Sequence, residues 1–290
     1  MNKILNTLKK YLDKSDKNMS AYGKLHLLKG NYDNVEEGMN SGTFVYLNKT
    51  RIIKSYLNTI LHIIIYKNKY LFNSFIKKYK LICKKQSRLF DINLLYHSMV
   101  LKLLTKHNVL KDNICVIGDG KANFVHGILD LKNISKIYSI NLPQALIQDY
   151  HILSKHNSID EKLIKVVDSE NDINDNRYKL FLIPAANKNF LRNKKINLFV
   201  NMFSFQEMPL SEIRAYIDIA LSNSAYLYQV NREEKIMYDG VKINYNDYFI
   251  SSKKKKILAE YAKFANYYTN RSFPFIHKKK SKIIHSLFKF

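Results

Sequence analysis

The chain has 290 residues, enough for one large domain or a domain with an accessory layer. Hydrophobic residues make up 46% and charged residues 25%, which permits a real core, while 8 Gly and 4 Pro exclude collagen-like and Pro-rich chains. Two cysteines, Cys83 and Cys115, are too few for a disulfide scaffold or a cysteine-based zinc site, and the formal net charge of +24 calls for a map of where that charge sits.

The excess is confined to the flanks. Residues 1–110 carry 20 basic and 6 acidic side chains, residues 111–250 carry 17 of each, and residues 251–290 carry 11 and 1. The chain is rich in Lys, Asn, Ile and Tyr and has no Trp, a bias that AT-rich coding produces whatever the function. The runs Lys253–Lys256 and Lys278–Lys280 read as solvated faces that could also meet an anionic substrate or an anionic membrane surface. Polyanion binding through such flanks is expected to be weak, sequence-blind and salt-dependent, so no specific nucleic-acid site is expected. Lys9 and Lys10 interrupt the N-terminus before a signal-peptide core can form, and the apolar stretch Ile60–Tyr66 is too short to span a bilayer. The cytoplasm is the expected compartment.

In chain order, residues 1–50 predict one helix followed by irregular structure with turns at Gly30 and between Gly38 and Gly42. From Arg51 to Lys85, Ile52, Ile53, Tyr56, Leu57, Ile60, Ile63 and Ile64 recur at the spacing of an amphipathic helix. Asp91 is suited to cap a second helix running through Leu94, Leu95, Met99, Leu103 and Leu104 to about His107. After Asn108 the texture changes to short apolar strands alternating with helices: strands at 113–117, 136–140, 178–183, 196–202 and 225–230, and helices after Gly120, from Pro143 and from Pro209. That alternation predicts an α/β fold, a doubly wound Rossmann-like sheet over residues 109–290, preceded by a helical region over 1–108 that serves substrate or dimer contacts. No internal repeat is present.

The first strand runs into Gly118-Asp119-Gly120-Lys121-Ala122-Asn123. Gly118 suits a tight turn, Gly120 lets a ligand approach the backbone, and the following helix start is expected to offer free N–H groups. The third glycine of a dinucleotide fingerprint is missing. Asn141, 21 residues after Gly120, stands where an acidic residue would grip a ribose; its carbonyl still accepts one hydrogen bond, at a cost of about 1–2 kcal/mol relative to a charged partner. The stretch Asn201-Met202-Phe203-Ser204-Phe205-Gln206-Glu207-Met208 leads from an apolar strand into the helix at Pro209 and puts a polar loop on the carboxyl rim of the sheet.

This combination resembles the sugar O-methyltransferases, a group of class I S-adenosylmethionine-dependent methyltransferases. The matching pieces are Val116-Ile117-Gly118-Asp119-Gly120, Asn141-Leu142-Pro143, the Asn201–Met208 block and Gln229-Val230-Asn231-Arg232, and the similarity covers roughly residues 90–290. The chain departs from that pattern in its weakened glycines, in Asn141 for Asp and in Asn197 for Asp. The resemblance implies S-adenosylmethionine as cofactor, held by Gly118, Asp119, Gly120, Asn123, Asn141, Leu142, Asn201, Met202 and Ser204. No metal site is expected.

It also implies methyl transfer to a hydroxyl of a sugar or glycan precursor, free or lipid- or nucleotide-linked. Alignment of the reacting atoms supplies about 7–11 kcal/mol to such a displacement. Glu207 is the first candidate for the general base, with His285 and His277 behind it; the alternative role for Glu207 is a structural carboxylate at the helix start. Tyr261, Phe264, Tyr267, Tyr268, Phe273 and Phe275 could wall a sugar or simply pack on the sheet. Membrane contact and a homodimer are both compatible with this reading. The competing readings are an RNA or DNA methyltransferase and a catalytically silent binding module, with a nicotinamide-dependent dehydrogenase last. The prolines that adenine-methylating enzymes carry after the fourth strand are absent from Asn201-Met202-Phe203-Ser204.

Overall fold

The computed structural model describes residues 3–12, 60, 73–86, 88–155, 158–236, 240–249, 254–265, 267–269, 276–278 and 281–290. The turns expected at Gly30 and Gly38–Gly42, and all of the 51–85 helical stretch before residue 73 except Ile60, lie outside them.

Helix α1 spans Lys3–Lys9, α2 Ser74–Lys85 and α3 Ile92–Lys106. Asn73 caps α2 by accepting from Phe75 N and also donates to the Ser98 carbonyl at 3.0 Å, which ties α2 to α3. Asp91 caps α3 as expected, accepting from Leu94 N at 3.0 Å. The sheet begins with β1 (Asp112–Ile117), followed by α4 (Asn123–Ile128), β2 (Ile134–Asn141), α5 (Pro143–Lys155), β3 (Ile164–Val166), β4 (Leu180–Pro184), β5 (Leu198–Met202), α6 (Leu210–Ser222) and β6 (Tyr226–Arg232). Pro209 sits one residue outside α6, as its cap, because its ψ of 150° is extended rather than helical.

The eight strands of the main sheet run in the order β3-β4-β2-β1-β5-β6-β12-β9, where β9 is Lys255–Tyr261 and β12 is Ile283–Lys289. Strands β3, β4, β2, β1, β5 and β6 are mutually parallel; β12 lies antiparallel to both β6 and β9. Chain order reverses between β1 and β5, so that boundary is the switch point at which open α/β sheets bind ligands. The fold is therefore the doubly wound Rossmann-like sheet that the sequence predicts, extended by an antiparallel pair that its texture did not announce. Two small hairpins join it: β7 (Glu234–Ile236) with β8 (Lys242–Asn244), and β10 (Tyr267–Thr269) with β11 (Ile276–Lys278).

Each face of the sheet has its own core. On one face Leu8 of α1, Tyr79 of α2, Leu94 and Leu101 of α3, Phe124 and Val125 of α4 and Leu146 and Tyr150 of α5 pack on Ile114, Val116, Ile137 and Val200. On the other, Ile213, Tyr216, Ile217 and Ala220 of α6 pack on Cys115, Ile117, Phe199 and Leu227. Alternation along each strand sends neighbouring residues to opposite faces, so strands such as β1 are apolar throughout. The described N-terminal helices thus share a core with the sheet. Among the described residues no helix is long and apolar enough to cross a membrane.

Candidate functional site

The turn after β1 begins at Gly118, with φ of +69°. A Cβ there would overlap the Ser204 side chain from the loop after β5, so both the backbone angle and the close approach of the two loops call for glycine. Nothing lies within 4 Å of where a Gly120 Cβ would stand, and that side of the turn is open. Lys121 and Ala122 follow with φ of 66° and 51°, left-handed values that cost non-glycine residues roughly 1–2 kcal/mol each.

Buried hydrogen bonds hold this conformation. Asp119 accepts from Phe124 N at 2.9 Å and from Val125 N at 2.8 Å, and Asp149 of α5 accepts from Ala122 N at 2.8 Å. Asn123 Nδ2 donates to the Gly120 carbonyl at 3.0 Å. Sequence alone predicts free N–H groups at this helix start. The structure corrects that expectation: these N–H groups are taken by two carboxylates of the chain itself. Burial pushes the Asp119 carboxyl up to about 7, against the pull of its N–H partners and the Arg88 guanidinium. Asp149 is raised well above the ordinary range by burial and then by the nearby Asp119 charge. Asp119 and Asn123, both 5% exposed, therefore shape the turn from within.

Asn141, at the end of β2, accepts from Leu142 N at 3.0 Å through Oδ1, and its Nδ2 lies 3.5 Å from Asp149 Oδ2. Asn141 and Leu142 are half-buried, as are Met202 and Ser204.

Amides organise the loop after β5. Asn201 is fully buried; its Nδ2 donates to the Ile117 carbonyl at 3.2 Å and to Ser204 Oγ, and its Oδ1 accepts from Phe205 N at 3.1 Å and Asn231 Nδ2 at 3.0 Å. Ser204 Oγ donates to the same Ile117 carbonyl at 3.0 Å. Gln206 donates its backbone N–H to Asn231 Oδ1 and accepts from Arg232 N, while Asn231 Nδ2 donates to Gln229 Oε1. The last link is Tyr245, whose hydroxyl donates to Ser286 Oγ, the partner of Gln229 Nε2. Glu207 stays half-exposed at the outer end of this network, ion-paired with Lys235 of β7 and accepting from Gln206 Nε2 at 3.3 Å.

The structure thus brings the Gly118–Asn123 turn against Ser204, and Asn141 against Asp149. His285 lies elsewhere, buried on β12 between the Tyr228 hydroxyl and Glu260 Oε1, each at 3.3 Å; burial lowers its proton affinity. His277 is half-buried on β11, paired in register with Tyr268. Tyr261 is exposed and donates to Glu233, whereas the side chains of Phe264, Tyr267, Tyr268, Phe273 and Phe275 lie outside the described residues. No group of three metal-binding side chains occurs among the described residues. Cys83 and Cys115 are free and buried.

Three contributors escaped sequence reasoning: Asp149, Lys235 and Arg88, whose Nη1 donates to Asn123 Oδ1 at 2.9 Å. Asp149 had one signal, an acid on the inward face of α5 among Leu146, Ile147, Tyr150 and Leu153.

No family model matches the chain and no curated protein matches it. Among solved structures it is similar to the methyltransferase domain of bacterial CtHen1-C, at 9% identity and a TM-score of 0.44 over 69% of this chain and 99% of that one. An S-adenosylmethionine-dependent methyltransferase from Clostridium acetobutylicum matches at 9% identity and a TM-score of 0.43, over 69% of this chain and 92% of that one. A protein of the NADB-Rossmann superfamily from Streptococcus agalactiae matches at 9% identity and 0.36, over 63% and 66%. The strand order and the reversal between β1 and β5 establish the Rossmann-like fold independently of these likenesses.

Proposed function

We propose that the chain is an S-adenosylmethionine-dependent methyltransferase acting on a hydroxyl of a sugar or glycan precursor. One observation carries the choice of cofactor. The N–H groups at the start of α4, which in a dinucleotide site hold a pyrophosphate, are occupied by Asp119 and Asp149. With the Ala122, Phe124 and Val125 N–H groups already bonded within the chain, the turn keeps fewer donors for a phosphate and suits a ligand without one, as S-adenosylmethionine is. The donor set fits the rest of such a molecule. Asn141 keeps one amide hydrogen and one carbonyl lone pair beyond its bonds to Asp149 and Leu142, enough for a ribose hydroxyl.

Gly118, Gly120, Asn141, Leu142 and Met202 would hold the cofactor. When bound it supplies an electrophilic methyl group. The protein's part is to align a substrate hydroxyl and to take its proton. Glu207 is our candidate for taking the proton; in support, its carboxylate stays half-exposed in the loop after β5 and is oriented by Gln206 and Lys235. The sugar substrate is supported by the resemblance of the Asn201–Met208 block. An uncharged acceptor is also consistent with a rim on which Glu207 and Lys235 neutralise each other.

Calorimetry tests the reading. S-adenosylmethionine and S-adenosylhomocysteine are expected to bind, and nicotinamide dinucleotides are not. Dinucleotide binding, or no heat from either adenosyl ligand at millimolar concentration with folded protein, would sink it.

A further inference from the structure

Arg88 lies between α2 and α3 and is only 4% exposed. Its Nη1 donates to Asn123 Oδ1 at 2.9 Å, and Asn123 Nδ2 donates onward to the Gly120 carbonyl at 3.0 Å. From α2, the Tyr79 hydroxyl donates to the backbone carbonyl of the same Asn123 at 2.9 Å. Gly127 of α4 makes this approach possible, since a Cβ there would overlap the Tyr79 hydroxyl and Leu101 of α3. Asn123 is therefore gripped by side chain and backbone from the helical layer, and it grips Gly120 in turn. The segment between them needs that support. Lys121 and Ala122 sit in left-handed backbone, which persists only where surrounding contacts over-determine it. A guanidinium suits this position because its planar fork fixes direction while its charge favours the ionised forms of the half-buried Asp91 and the buried Asp119.

We infer that Arg88 is a positioning residue for the turn at 118–123, acting through Asn123 on Gly120, so that the α2–α3 layer sets the shape of the turn that receives the ligand. The inference rests on the reading of that turn as the S-adenosylmethionine site. Arg88 itself touches no ligand. It pre-organises a backbone that would otherwise spend binding free energy on ordering itself.

Two readouts separate this role from a general contribution to stability. The first is the amide resonances of Gly120, Lys121 and Ala122 in ligand-free protein. The second is the affinity for S-adenosylhomocysteine, measured by calorimetry well below the melting temperature. In Arg88→Met the three resonances are expected to shift or broaden and the dissociation constant to rise about tenfold, the loss of one charged hydrogen bond's worth of pre-organisation. Arg88→Lys, which keeps the charge and loses the fork, is expected to recover only part of the affinity. Unchanged resonances and unchanged affinity in folded Arg88→Met would overturn the inference. Resonances that move in a protein whose wild type binds no S-adenosylhomocysteine would refute the cofactor reading and leave the bracing of the turn standing. If Arg88→Met does not fold, Asn123→Ala cuts the same chain of bonds at its middle link and is judged by the same two readouts.

Discussion

The turn after β1 and the loop after β5 leave neighbouring parallel strands and touch each other at Gly118 and Ser204, yet they are built from opposite materials. Two buried carboxylates fix the first, whereas the second is held by buried amides, with Asn201, Gln206, Gln229 and Asn231 satisfying one another. Carboxyl oxygens accept backbone N–H bonds strongly, and burial raises their proton affinity, so they make the turn sensitive to pH. Amides both donate and accept without charge, so they can knit a loop together at any pH, but every member leaves partners stranded when it is removed.

The largest expected effect lies at the outer end of the amide loop. Glu207→Gln keeps size and hydrogen-bonding shape but cannot take a proton, so turnover is expected to fall by about 10²–10⁴ while affinity for S-adenosylhomocysteine holds. A near-wild-type rate in single-turnover assays would make Glu207 part of the scaffold only. Next comes Asn201→Ala. It strands the buried Phe205 N–H and takes one of two partners from the Ile117 carbonyl and from the Asn231 amide, and a loss of about 2 kcal/mol is expected by urea denaturation. A loss below about 1 kcal/mol would show that water replaces the side chain and that the network is looser than its bonds suggest.

The carboxylate turn should answer to pH where the amide loop does not. Asp119 and Asp149 bind protons more tightly folded than unfolded, so their contribution to stability is full below pH about 4 and is lost as pH rises, for Asp119 on the way through about 7. His97, buried and held down at about 3, works the other way and costs stability as pH falls below about 6.5. Asp149→Asn isolates the first effect: the amide oxygen can still accept from Ala122 N, and the repulsion with Asp119 is gone. Relative to wild type, the variant is expected to gain stability steadily between pH 5 and pH 8 in unfolding titrations. Parallel pH curves for the two proteins would mean that the pair does not titrate in this range.

The smallest effect sharpens the comparison at its border. From sequence, Asn141→Asp should tighten binding by restoring a charged partner for the ribose. The structure places Asp149 3.5 Å away, so the new carboxyl group meets another and the two disfavour each other's ionisation. Exchanging the two, Asn141→Asp with Asp149→Asn, is expected to bind S-adenosylhomocysteine about fivefold more tightly than Asn141→Asp alone, a coupling of roughly 1 kcal/mol between touching sites. Additive changes would mean that residue 141 does not sense Asp149.

The sheet was legible where its strands are buried on both faces. Ile114–Ile117, Ile137–Ile140 and Leu198–Val200 are unbroken runs of buried residues, and the Asp91 cap stands directly before a helical pattern. Strand β9 was not legible. It is an edge strand, Lys255-Lys256-Ile257-Leu258-Ala259-Glu260-Tyr261, with nearly every side chain in water, and its lysines read as a solvated charge run. Strand β12 carries His285 and Ser286 at buried positions, which breaks its apolar signal. The site divides in the same manner. Glycines and a polar loop at strand ends can be read along the chain, whereas the bonds from Asp149 to Ala122 and from Arg88 to Asn123 span 27 and 35 residues and become visible only once the helices are packed.

The position of β12 between β6 and β9 has a kinetic consequence. Strand β9 is made first, yet its sheet partner comes later in the chain, so β6 and β9 wait with unpaired edges until Ile283–Lys289 inserts between them. Such non-local closure is slow to nucleate, and an open edge invites another chain to pair in its place. The lysines that make β9 hard to recognise are the kind of residue that discourages that pairing, so they protect the half-built sheet during the interval in which it is most exposed to aggregation.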